Sequence, residues 1–241
     1  MSRRLAAAAG CAALVAALAV LLGAETGGAH TQPGAVGPRP HPALVAYARV
    51  RSVSVYGTER SAQVRQTLSN PTEEGAVLSF LVRSVHRRRV LVYLPTRPNG
   101  SSGWIPRFQV RIYGEPFRVR IDLRRHRLVV RRFDSVVLRA PVGVGRAVTP
   151  TPSGTYYIVS RIRPIGAGSV YGAFAFGLSA HSNVFTRFGF GGDGRIGLHG
   201  TNDPTGLGHD VSHGCIRTRN ATILKLAPLL PLGTPVEITR S

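Results

Sequence analysis

The chain predicts a mainly β protein in two parts: a small β-barrel-like domain, then a β-sandwich-type domain with a few short helices. Three observations predict it. Apolar residues fall in short runs, and Gly, Pro and Asn turn signals separate those runs. From Phe117 to Leu123 apolar and charged residues alternate strictly, which gives one buried and one solvated face. With 241 residues and 43% hydrophobic content, the chain has enough apolar material for packed cores.

Residues 1–29 stand apart from the rest. A basic start at Ser2-Arg3-Arg4 leads into the Ala/Leu/Val run from Leu5 to Leu22, and Gly27-Gly28-Ala29 offers a small-residue cleavage site. This is the plan of a secretory signal peptide; a retained membrane anchor is the alternative. Residues 30–42, rich in proline and glycine, read as an extended linker. Residues 43–115 carry the β-like runs Val45–Val50, Val53–Tyr56, Ala76–Val82 and Val90–Leu94, broken at Tyr56-Gly57-Thr58, Asn70-Pro71 and Pro98-Asn99-Gly100. The stretch from Tyr93 to Ile105, ending in Gly103-Trp104-Ile105, resembles the late hairpin of a bacterial Src-homology-3-like domain. Trp104 reads as a core residue, not as a ligand platform.

Residues 116–241 continue as a β pattern. Phe117–Leu123 is a strand, Arg124–Arg127 a turn, and Leu128–Val130 and Ser135–Leu138 are further strands. Thr149-Pro150-Thr151-Pro152-Ser153-Gly154 forms a stiff loop that enters a strand, and Arg195–His199 ends one. Asn220 is an expected N-cap for a helix over Ala221–Ala227, and Gly233–Ile238 makes a last strand.

The net charge is +20, and Lys225 is the only lysine among the basic residues. Removal of residues 1–29 would leave +19. Such a field favours anionic partners. Anionic cell-wall polymers are preferred over nucleic acid, because aromatics interleaved with basic residues are scarce and an exported chain meets the wall. A membrane partner follows only if the N-terminal segment is retained.

Cys11 lies in the expected signal segment, so cleavage would leave Cys215 with no disulfide partner. A free cysteine is commonly a buried core residue, but Ser212-His213-Gly214-Cys215-Ile216-Arg217 is too polar and glycine-rich for a core strand. The segment supplies what a nucleophilic thiol needs. His199 or His213 can take its proton, a cationic surround can hold the thiolate, and the N–H groups of Gly214 and Cys215 can hold an oxyanion. Gly200 can orient the His199 ring through its carbonyl. Arg217 suits a carboxylate or pins the loop, and Ser212 is a candidate substrate contact.

His199-Gly200-Thr201-Asn202, the sixteen-residue step to Cys215, the Ser-His-Gly-Cys-Ile-Arg motif and Asn220 closely resemble the YkuD-type L,D-transpeptidase catalytic domain. The blocks Thr149–Gly154 and Gly233–Val236 belong to the same resemblance, while Thr222 departs from it where many members carry an acidic residue. The resemblance implies Cys215 as nucleophile and His199 as base, with His213 shaping the pocket. It also implies peptidoglycan stem peptides as substrates; the N-terminal segment points to an exported, periplasmic or cell-wall location, and no cofactor is expected. The implied reaction attacks the third residue of a tetrapeptide stem, releases D-alanine and passes the acyl group to a neighbouring amine. Hydrolysis would make the same site an L,D-carboxypeptidase, and a decayed site would leave a non-catalytic wall-binding module. His199, His209, His213 and Cys215 match no tight zinc-ligand spacing. The Thr-Leu-x-Thr-Cys approach of sortases is absent, and papain-like peptidases place cysteine before histidine.

Overall fold

The computed structural model describes residues 41–163, 168–187 and 192–240. The expected signal segment and most of the linker lie outside the described residues.

The first sheet is built from β1 (Ala43–Ala48), β2 (Ser52–Tyr56), β3 (Val64–Ser69), β4 (Ser79–Val85), β5 (Arg89–Tyr93), β6 (Ser102–Pro106) and β7 (Val110–Glu115). These seven strands pair antiparallel in the order β3-β2-β6-β5-β4-β1-β7, with a 3-10 turn at Arg107–Gln109 before the last. Alternation places Val53 and Val55, Val90 and Val92, and Phe80 on the inner face. They enclose a core that belongs to this sheet alone, so the sheet curls around it.

The second sheet follows directly. It contains β8 (Phe117–Asp122), β9 (Arg127–Arg132), β10 (Ser135–Pro141), β12 (Gly154–Ile162), β13 (Ala175–His181), β14 (Arg195–His199), β16 (Ile216–Arg217) and β17 (Pro235–Thr239). Its order is β10-β9-β8-β17-β12-β13-β14-β16; β17 pairs parallel with β8 and β16 parallel with β14. β11 (Val144–Gly145) and β15 (Asp210–Ser212) form a separate parallel pair. The alternation read at Phe117–Leu123 is realised: Val119, Ile121 and Leu123 are buried while Arg118 and Arg120 face solvent.

Helix α1 (Asn220–Leu226) seats Ile223 and Leu226 in the core of the second sheet. It begins one residue earlier than expected, and its N-cap position is Arg219, with no side-chain cap. Asn220 is not the cap, because its side chain is engaged elsewhere. Among the described residues, no helix is long and apolar enough to cross a membrane.

Candidate active site

The short parallel pairing of β14 with β16 brings the two motifs together. Leu198 faces Ile216 and His199 faces Arg217, which sets Cys215 beside Gly197. Residues two apart on a strand share a face, so the His199 ring projects on the Gly197 side. A Cβ built on Gly197 would lie 3.6 Å from His199 Cδ2 and 3.9 Å from Cys215 Sγ. The imidazole and the thiol therefore flank a residue that has no side chain to separate them. The Gly197 N–H points at Sγ from 3.4 Å.

His199 is only 3% exposed, and its Nδ1 lies 2.6 Å from the Gly200 carbonyl oxygen. A carbonyl can only accept, so Nδ1 carries the proton and Nε2 keeps its lone pair. The Tyr171 ring meets the imidazole edge-on at 5.1 Å. Burial pushes the His199 pKa down to about 4; the Gly200 carbonyl opposes that, Arg217 adds to it, and the Tyr171 backbone opposes it. Burial raises the Cys215 pKa, against the Gly197 N–H and Arg217, which lower it. Both shifts favour the neutral thiol beside the neutral imidazole.

A set of loop bonds fixes the nucleophile. Ser212, 1% exposed, donates its hydroxyl to the Cys215 carbonyl at 2.6 Å and accepts the Gly214 N–H at 3.1 Å. The Ser212 hydroxyl thus holds its own loop. Gly214 sits at φ +120, where a Cβ would press on Ile196, so glycine suits this bend. Thr151 accepts the Gly145 N–H and donates to the Gly214 carbonyl, both at 2.8 Å; Thr149 donates to the Ser212 carbonyl at 3.2 Å. The proline-marked loop therefore braces the turn that carries Cys215.

Asn220 has a comparable part on the histidine side. Its Oδ1 accepts the N–H of Thr201 at 3.1 Å and of Ala173 at 3.0 Å. It sits close against Gly172 and Gly200, where any Cβ would collide with it. It thus joins the segment after His199 to the segment carrying Tyr171. His213 is exposed, with its ring 6.1 Å from Phe185. Arg217 uses its backbone to pair with Gly143 at 2.9 and 2.8 Å, while its buried Nε has no hydrogen-bond partner. Among the described residues no three His, Cys, Asp or Glu side chains gather as a metal site.

The sequence passed over three contributors. Gly197 has no motif of its own, Tyr171 lies in a loop far along the chain, and Thr151 was visible only as part of a proline block.

Residues 116–238 match the family model of the L,D-transpeptidase catalytic domain, YkuD. A Bacillus licheniformis protein provisionally named L,D-transpeptidase YkuD is 36% identical over 124 residues, which is 52% of this chain and 66% of that one. The Bacillus subtilis strain 168 protein of the same provisional name is 33% identical over 128 residues, 53% of this chain and 69% of its own. The chain thus covers just under two thirds of the first relative's length. A solved L,D-transpeptidase from Mycobacterium tuberculosis H37Rv, 17% identical, superposes with a TM-score of 0.43 over 64% of this chain and 91% of that chain.

Proposed function

The chain belongs to the YkuD family of L,D-transpeptidase catalytic domains, and from that premise we propose that it cross-links peptidoglycan stem peptides through a Cys215 thioester. In this reading residues 116–241 are the catalytic domain, and residues 43–115 form an accessory, Src-homology-3-like β domain. Residues 1–29 export the chain to the wall or periplasm.

The observation that carries the proposal is the shared flank of Gly197. Thiol and imidazole converge there, and the Nδ1–H bond to Gly200 leaves Nε2 as the proton acceptor. The directions of both shifts favour a neutral resting pair, so in this reading proton transfer accompanies attack. Sγ bonds to the carbonyl carbon of the third stem residue as its proton passes to His199 Nε2. The Cys215 N–H, joined by that of Gly214 once it leaves Ser212, stabilises the oxyanion. The Gly200 carbonyl and the Tyr171 backbone favour the imidazolium that forms. His199 returns the proton to the departing D-alanine amine, leaving a thioester. A side-chain amine of a second stem then attacks, His199 takes and returns its proton, and the Cys215 thiol is regenerated. Arg217 receives a substrate carboxylate, a role supported by its unpartnered Nε. His213 and Phe185 form an outer wall of the pocket.

Intact-mass measurement tests this directly. The full chain incubated with a carbapenem should gain one drug mass, and Cys215→Ala should gain none. A folded wild-type chain that gains no mass overturns the reading. With a tetrapeptide stem as substrate, cross-linked dimer is the expected product, and D-alanine release without dimer would assign hydrolysis instead.

A further inference from the structure

The first sheet carries a cavity of about 850 Å³ whose charged lining is entirely cationic. Arg49, Arg87, Arg88, Arg89, Arg107 and Arg111 line it, with no carboxylate among its residues. They come from separate places: the β1–β2 turn, the β4–β5 turn and the start of β5, the 3-10 turn, and β7. The concentration is therefore made by the fold, not by one basic run.

Arg89 belongs to the structure. Its guanidinium lies 3.6 Å from the Tyr56 ring centroid and donates to the Thr58 and Ser61 carbonyls at 3.0 and 2.7 Å. Arg49, Arg87, Arg88, Arg107 and Arg111 make no side-chain hydrogen bond or ion pair among the described residues. Five unpaired guanidiniums around one hollow repel one another, and an anionic ligand removes that repulsion.

We propose that this groove binds a linear phosphodiester polyanion, a polyol-phosphate polymer of the kind that cell walls carry. Arginine presents a planar fork that matches phosphate oxygens and sheds its water readily, so a row of them follows a phosphate backbone without needing a particular monomer. The aromatic residues argue against nucleic acid. Tyr56 is covered by Arg89, and Tyr113 packs edge-on against Tyr47 at 5.7 Å. That leaves Phe108, 73% exposed, and the half-exposed Tyr113, on the 3-10 turn and β7, two rings where successive bases need a longer run of stacking partners. The residues that line the groove include none of those placed around Cys215, so binding there can be measured apart from reaction at the thiol.

The test measures binding of synthetic poly(glycerol phosphate) to the full chain across a salt series. Polyglutamate and single-stranded DNA of equal charge serve as parallel probes. The triple variant Arg87→Gln, Arg88→Gln, Arg111→Gln should lose about tenfold or more in affinity at low salt, with a shallower salt slope. A charge-matched control, Arg124→Gln, Arg132→Gln, Arg139→Gln on the second sheet, should stay within about twofold of wild type, because those exposed arginines lie outside the groove. Carbapenem acylation of Cys215 should be unchanged in both, which also reports that they are folded. If the triple variant does not fold, single Arg88→Gln and Arg111→Gln variants give the same comparison through the salt slope. No binding of poly(glycerol phosphate), equal loss in the control, or equal or tighter binding of DNA or polyglutamate would each overturn the proposal.

Discussion

At the residue scale, the two central side chains are displaced from their ordinary titration in opposite directions, and this has a consequence for stability. His199 is held to about 4 by burial, against 6.5 for a free imidazole. Between those values the unfolded chain binds a proton that the folded chain does not. Stability therefore rises with pH across pH 4 to 6.5 and is fully present above that window. The contribution is about 3 kcal/mol. Urea unfolding at pH 4.5 and pH 7 should show His199→Gln losing most of that difference, whatever the variant's stability at pH 7. An unchanged difference would mean that His199 titrates normally. His199 and Cys215 were legible in the sequence because each sits in a dense local motif. Asn220 was visible but misplaced: asparagine before a helix suggests a cap, whereas its Oδ1 reaches Thr201 and Ala173, a tertiary contact.

At the element scale, the turn between β15 and β16 is positioned by partners outside it. Strands of three and two residues are too short to show any period, so sequence could not reveal them. By contrast β8, β9 and β10 were readable because their alternation runs over several residues beside exposed arginines. The short pair depends on Thr151, whose hydroxyl both accepts from Gly145 and donates to Gly214. Thr151→Val keeps the shape and removes both bonds, leaving a buried N–H and a buried carbonyl without partners. The expected loss is about 1–3 kcal/mol. Carbapenem acylation of the variant should slow more than Tm falls, because the turn that aims Sγ is the part released. Thr151→Ser should restore the acylation rate; failure of that rescue would place the effect elsewhere.

At the scale of the whole molecule, the two sheets are joined at the loop beside the site. Tyr157, fully buried, packs with Leu81 and Tyr93 and donates its hydroxyl to the Tyr93 carbonyl at 3.1 Å. Asn99, at the β5–β6 turn, pairs with the His181 backbone in both directions, at 2.8 and 2.7 Å. Arg97 donates to the carbonyls of Ser182, Phe185 and Asp193 at 2.7, 3.0 and 2.9 Å. The first sheet thereby grips both ends of the segment that holds Phe185 against His213. Behind it, His181 donates to Asp193, and this bond is the main reason the Asp193 carboxyl lies well below the usual range. None of this could be read from sequence, since partners more than eighty residues apart leave no local period. The Arg97→Ala, Asn99→Ala double variant should keep both cores, because neither residue belongs to one. Its effect belongs to the loop. Hydrogen exchange at residues 182–187 should quicken by about tenfold or more, as for a loss of some 1–3 kcal/mol of local protection, while β12 keeps its protection. KM for a stem peptide should rise more than kcat falls, since the wall of the pocket is loosened and the thiol–imidazole pair is not. Uniformly faster exchange across β12 would show instead that the first sheet stabilises the second globally.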